Sequence, residues 1–191
     1  MKELYITYTH GNEIPPKNIV EDIEDKDVIV ANVLAAEKNV RFIDTDLNRS
    51  FGVSKPNSYE EKRAVEIENI MKSYDIVYDI HRTVAPHAKF IALISKKEDY
   101  KYTLKFRPNA VVLIELPGAT ITHCKVGIAL EYPMKYTLGK DNPEMYKVID
   151  FVESKKSWVD FQPIKYGKET VYPLMVGETA YDGKCFLLRL I

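Results

Sequence analysis

"LYITYTHGNE", residues 4–13, is a β-favouring run that ends in a histidine, a glycine, an asparagine and a glutamate. Further short apolar runs follow along the chain, at "DVIVANVLA" (27–35), "DIVYDIH" (75–81), "KFIALIS" (89–95), "AVVLIEL" (110–116) and "KVGIALEY" (125–132). Amphipathic segments separate several of these runs. Because that alternation is typical of strands connected by helices, the sequence predicts an α/β domain.

The segments between the predicted strands contain helix signals. "PPKNIVEDI" (15–23) has two prolines suited to a helix start, and Ser58 with Glu61 forms a capping box. The helix after that box has an apolar stripe of Ala64, Ile67, Met71 and Tyr74. "NVRFIDTDLNRSF" (39–51) predicts a strand that runs into a polar loop. "DNPEMYKVIDFVESKK" (141–156) predicts a last helix, with Pro143 in its first turn and an apolar stripe at Met145, Val148, Ile149 and Val152.

The character of the sequence changes near residue 157. The segment from there to the C-terminus has Pro, Gly and aromatic residues at short intervals and no helical period. We therefore expect an α/β domain over residues 1–157 and a small C-terminal β portion over residues 158–191.

Composition excludes several classes of protein. The 191 residues are 46% hydrophobic and 29% charged, which suits a packed core, and the net charge is -1. No block of basic residues predicts nucleic-acid binding, and no apolar run approaches the length of a membrane span. The first ten residues lack the features of a signal peptide, so a cytoplasmic location is expected. Cys124 and Cys185 predict buried thiols rather than a disulfide or a thiolate metal site, and homo-oligomerisation is left open.

Polar side chains follow the predicted strands, where open α/β sheets bind ligands. His10 and Glu13 follow the first strand, and Asp79 and His81 alternate onto one face of the strand in "DIVYDIH". Two histidines and one glutamate are a ligand set of catalytic zinc, with a fourth position left for water. The sequence therefore predicts a zinc site, in which Asp79 would orient a liganding histidine.

Structural readings of the same residues stay open at this point. His10 fits a polar turn, Glu13 fits a solvated charge at a helix start, and His81 fits a buried, hydrogen-bonded histidine. Arg41 and Arg49 fit ordinary surface charges, and Asp46 fits a turn cap. Glu131 differs, because an unpaired carboxylate within an apolar strand is costly and so favours a paired or functional role. His87 and His123 have no partner pattern and are expected to be structural or surface residues.

The motifs taken together are more specific than any one of them. "THGNE" (9–13), "RFIDTDLNRSF" (41–51), "YDIHRT" (78–83), "VGIALEY" (126–132) and "TVYPLMVGETAYDGK" (170–184) follow in an order that resembles the aspartoacylase/succinylglutamate desuccinylase family. That family belongs to the zinc carboxypeptidase-like superfamily. The resemblance implies a mixed central sheet with flanking helices, a short C-terminal β portion and one Zn²⁺ per chain.

The resemblance also implies roles for individual residues. His10, Glu13 and His81 would bind zinc. Asn48 and Arg49 would hold the carboxylate of an N-acyl amino acid, for which a guanidinium fork has the right shape. Arg41 would polarise the scissile carbonyl, and Glu131 would act as the general base. Tyr181 would contact substrate from the C-terminal β portion.

The chain departs from the aspartoacylase pattern at two places. "PGATITHCKVGIALE" (117–131) lacks the arginine that this branch has ahead of its base glutamate, which leaves His123 and Lys125 as the basic residues there. The segment after the third predicted ligand also differs from the family's usual one, because it carries the basic residue Arg82. The sequence therefore does not specify acylaspartate as the substrate.

Three functions fit these residues. The first is a zinc-dependent amidohydrolase that removes the acyl group from a small N-acyl amino acid, with no nucleic acid or membrane as partner. The second is a zinc carboxypeptidase that uses the same centre on peptide C-termini. The third is a non-catalytic small-molecule-binding protein on the same scaffold. The similarity of residues 170–184 to the deacylase branch and the full set of catalytic residue types favour the first.

Overall fold

The computed structural model of the protein describes residues 1–84 and 88–191. Ten strands occur among these residues: β1 (Glu3–Thr7), β2 (Asp27–Val30), β3 (Ile76–Thr83), β4 (Ile91–Ile94), β5 (Ala110–Leu113), β6 (Gly127–Pro133), β7 (Glu144–Glu153), β8 (Ile164–Tyr166), β9 (Glu169–Leu174) and β10 (Lys184–Leu190). The α-helices among them are α1 (Lys17–Ile23), α2 (Val33–Lys38), α3 (Tyr59–Met71) and α4 (Tyr100–Thr103). His87 lies outside the described residues.

The strands form a mixed sheet in the order β2-β1-β3-β6-β4-β5-β7-β10-β9-β8. Strands β2, β1, β3 and β6 are parallel to one another, whereas β4 runs antiparallel to β6 and begins a second parallel group with β5 and β7. The last three strands continue the sheet in antiparallel pairings. The predicted mixed α/β architecture is therefore confirmed.

Helices cover both faces of the first strands. Ile67 and Met71 of α3 pack with Leu4 and Val77 on one face, in a cluster of fully buried side chains. Ile19 and Ile23 of α1 belong to a second cluster, which includes Tyr78 and Phe90. A third cluster lies around β5 and β10. The sheet is thus buried on both sides where it carries the predicted site.

Helix α3 begins as the sequence predicts. The Ser58 side chain accepts from the backbone N–H of Glu61, and the Glu61 side chain accepts from the backbone N–H of Ser58. This reciprocal capping fixes the first turn of the helix. The first turn is important for the site because it carries Glu60, a buried carboxylate.

The buried stripe of α3 gives a stability prediction. Ile67 is fully buried, so Ile67→Ala should leave a cavity and lower the free energy of unfolding by about 2–5 kcal/mol. Urea unfolding followed by circular dichroism measures this change. Val20→Ala on α1, where the side chain is 46% exposed, is the control and should cost well under half as much. Equal losses in the two variants would contradict the assigned burial.

Two predicted elements are wrong, and a third ends early. Residues 39–51 contain no strand but bends and a 3₁₀ turn at Leu47–Arg49, because the N–H groups of residues 43–45 bond to Glu60 and not to a neighbouring strand. Residues 144–153, predicted as helix, are β7, because β5 and β10 supply backbone partners on both of its sides. The strand predicted over residues 27–35 ends at Val30, since Asn32 caps helix α2.

The C-terminal portion is a β structure, as predicted, and it joins the main sheet. Strand β10 pairs with β7, which precedes the expected boundary at residue 157. The division into two domains stays a prediction.

Cys185 is buried and Cys124 partly buried, and both thiols are free. Among the described residues, no helix is long and apolar enough to cross a bilayer.

Candidate metal centre and active site

The site lies at the carboxyl ends of the parallel strands β1, β3 and β6. His10 and Glu13 follow β1, and His81 lies near the end of β3. Glu131 of β6 is in register with His81 on the neighbouring strand. Because parallel strands end at the same edge, residues far apart in the chain meet there.

His10, Glu13 and His81 form one cluster of ligand atoms. One ligand atom from each residue lies within 4.8 Å of the other two. The Nδ1 atom of His10 is 2.7 Å from one Glu13 carboxylate oxygen, and the Nδ1 atom of His81 is 3.0 Å from the other. The two imidazoles and the carboxylate therefore converge on one point, as the ligands of a metal ion must.

The charges at this point favour a cation. Burial alone would raise the pKa of Glu13, but His10 and His81 outweigh burial and hold that pKa well below its usual range. Burial would lower the pKa of His10, but Glu13 and Asp46 outweigh it and raise that pKa. The pKa of His81 is likewise raised, against burial, by Asp79 and Glu131. The acidic groups thus attract positive charge to the two imidazoles, and a metal ion would supply that charge.

Each imidazole also has a carboxylate on its other nitrogen. Nε2 of His81 is 3.1 Å from the buried Asp79, and Nε2 of His10 is 2.9 Å from Asp46. Asp79 in turn accepts a hydrogen bond of 2.6 Å from the hydroxyl of Thr9. Such carboxylate–histidine pairs orient histidine ligands and increase their basicity. Asp46 also caps the 3₁₀ turn, which is the role that the sequence allowed for it.

Arg41 lies against the same cluster. Its guanidinium donates to Glu13 at 3.2 Å and to Asp46 at 3.2 Å, and it is 2.9 Å from Nε2 of His10. These contacts hold a permanent positive charge beside the point on which the ligand atoms converge. A group in this position can stabilise negative charge that develops on a substrate oxygen.

Asn48 and Arg49 lie in the 3₁₀ turn that follows. The side-chain carbonyl of Asn48 accepts from the backbone N–H of Thr120 at 3.1 Å, which fixes the turn against a neighbouring loop. Gly118 of that loop has a φ of +76°, and a Cβ there would lie 2.4 Å from the backbone oxygen of Arg49. The close approach therefore requires glycine. Tyr181 contacts Arg49 from the C-terminal β portion.

Glu131 has the environment of an acid–base group. Burial raises the pKa of Glu131 to about 7, and Glu13 adds to the increase while His81 opposes it. A carboxyl group with a pKa near neutral pH can both accept and donate a proton. The raised pKa fits the cost that the sequence indicated for a carboxylate in an apolar strand.

One cavity collects the eight residues that the sequence predicted. Its lining includes His10, Glu13, Arg41, Asn48, Arg49, His81, Glu131 and Tyr181. Arg82 and Glu178, to which the sequence assigned no role, also line it. Glu178 accepts hydrogen bonds from the side chain of Thr83 and from the backbone of Val84, and its place in "GETAYDGK" beside Tyr181 was the available signal.

The two alternative basic residues lie elsewhere. His123 faces Glu68, with 3.5 Å between Nδ1 and the carboxylate, and packs near Phe51. Lys125 pairs with Asp75 at the surface. Neither belongs to the lining of the cavity, whereas Arg82 does.

The strand ends of this mixed sheet bring two histidines and a glutamate into one cavity. The fold and the site therefore define an α/β protein with a candidate centre for a single metal ion. Comparison with known proteins agrees with this description. The family model of the succinylglutamate desuccinylase/aspartoacylase catalytic domain matches residues 2–124. The chain belongs to that family.

Individual relatives support the assignment. A probable aspartoacylase of Prochlorococcus marinus (strain MIT 9515) is 37% identical over 116 residues, which are 51% of this chain and 39% of the relative. Aspartoacylase of Rattus norvegicus is 26% identical over 273 aligned positions, covering 92% of this chain and 87% of the relative. The chain thus spans about two fifths of the length of the Prochlorococcus relatives that it matches.

Solved structures share the fold. Murine aminoacylase 3 superposes with a TM-score of 0.79 at 17% identity, over 100% of this chain and 95% of that one. Succinylglutamate desuccinylase from Chromobacterium violaceum superposes with a TM-score of 0.75 at 17% identity, over 100% of this chain and 84% of that one.

Proposed function

We propose that the protein is a zinc-dependent amidohydrolase that hydrolyses the amide bond of an N-acyl amino acid. The observation that carries the proposal is the convergence of His10, Glu13 and His81 in one cavity with Glu131. Family membership and the deacylase names of the relatives support the same reaction. The cytoplasmic location expected from the sequence remains part of the proposal.

The ligand set fits zinc. Two imidazole nitrogens and one carboxylate oxygen are donors that zinc accepts, and three protein ligands leave a fourth position open. One Zn²⁺ per chain would be held by His10, Glu13 and His81, with Asp46 and Asp79 orienting the imidazoles. When bound, zinc supplies a Lewis acid that makes water a nucleophile at neutral pH.

Proton transfer is assigned to Glu131. Its carboxylate accepts the proton of the attacking water and then donates that proton to the nitrogen of the leaving amine. Both steps need a group that changes protonation near neutral pH, and burial raises the pKa of Glu131 to about 7. Its position in register with His81 places it beside the metal ligands.

Charge stabilisation is assigned to Arg41. The carbonyl oxygen of the amide becomes negatively charged when water attacks, and a fixed guanidinium next to it lowers the energy of that state. Glu13 and Asp46 hold the guanidinium in place before the substrate arrives. Preorganisation of this kind avoids the cost of reorganising charge during the reaction.

Recognition of the amino acid carboxylate is assigned to Asn48, Arg49 and Tyr181. Arg49 can donate two parallel hydrogen bonds to a carboxylate, and Tyr181, which contacts Arg49, lines the same cavity. The contacts of Asn48 with Thr120 keep the turn that carries Arg49 in place.

The role of Arg49 gives a kinetic prediction. Arg49→Lys keeps the positive charge but removes the planar fork, so KM for an N-acyl amino acid should rise roughly 10-fold to 100-fold while kcat changes less. Steady-state kinetics on metal-replete protein measure both constants. Arg189→Lys, which lies outside the cavity and pairs with Glu169, is the matched control. An unchanged KM in Arg49→Lys would exclude Arg49 from substrate binding.

A substrate panel tests the proposed function as a whole. Metal-replete protein is incubated with N-acetyl, N-succinyl and N-benzoyl amino acids and, separately, with dipeptides that have a free C-terminus. The proposal expects release of the free amino acid from members of the first group. Release from the dipeptides alone would establish the carboxypeptidase instead. Turnover of neither group, with zinc bound, would leave the non-catalytic binding protein.

A further inference from the structure

The carboxylate of Glu60 is buried and satisfied by backbone donors. Glu60 is the second residue of α3, and its side chain is 0% exposed. It accepts hydrogen bonds from the N–H groups of Ile43 at 2.6 Å, Asp44 at 3.0 Å and Thr45 at 3.2 Å. The side-chain amide of Asn32 donates a fourth, at 3.1 Å.

These hydrogen bonds to Glu60 come from backbone N–H groups and an amide and not from a basic side chain. Three consecutive N–H groups and the amide of Asn32 solvate the carboxylate, and the N-terminus of α3 adds its favourable dipole. A buried carboxylate that lost these donors would be costly. The position of the donors is therefore coupled to the position of Glu60.

Glu60 binds residues 43–45, which lie within the segment 41–49 that carries the proposed substrate-facing groups. Arg41 lies two residues before the first donor, and the turn with Asn48 and Arg49 begins two residues after the last. In the described part of the chain, the N–H groups of residues 43–45 make no backbone hydrogen bond, so they belong to no sheet ladder.

Two further contacts tie this segment to the scaffold. The backbone oxygen of Arg41 accepts from the N–H of Gly11 at 3.1 Å, beside the metal ligands. The side chain of Asp44 accepts from the N–H of Tyr59 at 2.8 Å, at the first residue of α3. The start of α3 therefore both accepts hydrogen bonds from the segment, through Glu60, and donates one to it, through the N–H of Tyr59. Glu60 makes most of these bonds.

We propose that Glu60 is a positioning residue of the active site. It holds residues 43–45 against α3 and thereby sets where Arg41 and Arg49 stand relative to the metal ligands. This inference rests on the proposed function, because the roles of Arg41 and Arg49 come from it. Glu60 itself touches no substrate, since it does not line the cavity.

The substitution Glu60→Gln tests the inference with little change in volume. Glutamine keeps one acceptor oxygen but replaces the other with an NH₂ group, which faces N–H donors. The segment should then move away from α3. Since a displacement of about 1 Å can cost about 100-fold in rate, kcat/KM should fall roughly 10-fold to 100-fold.

The matched control is Glu61→Gln, at the next residue of the same helix. Glu61 also accepts from backbone N–H groups, but those of Asn57 and Ser58, and it is not in contact with residues 43–45. This control removes the same charge from the same helix end. It should leave kcat/KM of the folded protein near the wild-type value.

The first readout needs no activity. Amide hydrogen exchange should be slow at residues 43–45 in the wild-type protein and at least tenfold faster there in Glu60→Gln, with no such change in Glu61→Gln. Bound zinc should stay equal in all three proteins, because the ligands lie on other segments. Unchanged exchange at residues 43–45 in Glu60→Gln would overturn the inference.

The second readout is kinetic, with kcat and KM compared at equal zinc content and equal folded fraction. The inference expects changes in both constants, because Arg41 acts on the reacting carbonyl and Arg49 on the carboxylate. Wild-type constants in a variant whose residues 43–45 exchange fast would also overturn it.

If Glu60→Gln does not fold, Glu60→Asp, which keeps the charge but shortens the reach, replaces it in both readouts. Absence of turnover in the wild-type protein would refute the proposed function alone, since the exchange readout still tests how Glu60 holds the segment.

Discussion

Glu131→Gln should keep its zinc and lose at least about 100-fold in kcat on the N-acyl amino acid that the wild-type protein hydrolyses best. The amide of glutamine can neither take the proton of the attacking water nor return it to the leaving amine. Zinc stays bound because the three ligands are other residues. Zinc content is measured by atomic emission on dialysed protein, and kcat by release of the free amino acid.

The control for this prediction is Glu153→Gln, on β7 and outside the cavity. It removes a carboxylate from the same sheet and should leave kcat unchanged. Full activity in Glu131→Gln would remove Glu131 from the mechanism. Loss of both zinc and activity would instead place Glu131 among the groups that hold the metal.

His10→Ala should abolish stoichiometric zinc binding, and with it both turnover and stabilisation by zinc. A ligand that binds the folded state at a free concentration 100 times its Kd adds about 2.7 kcal/mol to the free energy of unfolding. The wild-type protein should show this gain when zinc is added to metal-free samples, and the variant should not. His10 is a better ligand to remove than His81, because the two carboxylates that contact His10, those of Glu13 and Asp46, still pair with Arg41 in the variant. Removing His81 would leave the buried carboxylate of Asp79 without its ion pair.

His123→Ala is the matched control for the metal prediction. His123 is a histidine outside the cavity, and Glu68, which faces it, accepts a hydrogen bond from the backbone N–H of Gly52. The variant should bind zinc as the wild-type protein does. Zinc-dependent stabilisation that survives in His10→Ala, or that is absent from the wild-type protein, would refute the assigned centre.

Much of the sheet could be predicted from local patterns. The strands at residues 76–83, 91–94, 110–113 and 127–133 are apolar runs bounded by polar or turn residues, and burial on both faces of the sheet explains why they are continuous. The start of α3 was equally predictable, because its capping box is a contact between residues three apart.

The errors arose where distant partners decide the conformation. Residues 144–153 have apolar residues at helical spacing, but β5 and β10 offer their backbone groups on both sides, and Tyr146 packs against the cluster around β5. Backbone pairing with two strands outweighs the weak local preference for helix. The strand predicted within residues 39–51 is wrong for a related reason, since the carboxylate of Glu60 on α3 accepts hydrogen bonds from the N–H groups of residues 43–45.

The sequence by itself determined which residue types the site would contain. His10, Glu13 and His81 stand at strand ends because a polar side chain after an apolar strand reaches the open edge of the sheet. The tertiary structure decided how these residues meet: the Nδ1 atoms of both histidines point to Glu13, Asp46 and Asp79 contact the other nitrogens, and Arg82 rather than His123 or Lys125 lines the cavity. It also decided that Glu60 holds the segment with Arg41. The contacts of Glu13 with His81, of Asp46 with His10 and of Glu60 with residues 43–45 join distant parts of the chain, so they depend on tertiary packing, which no local pattern encodes.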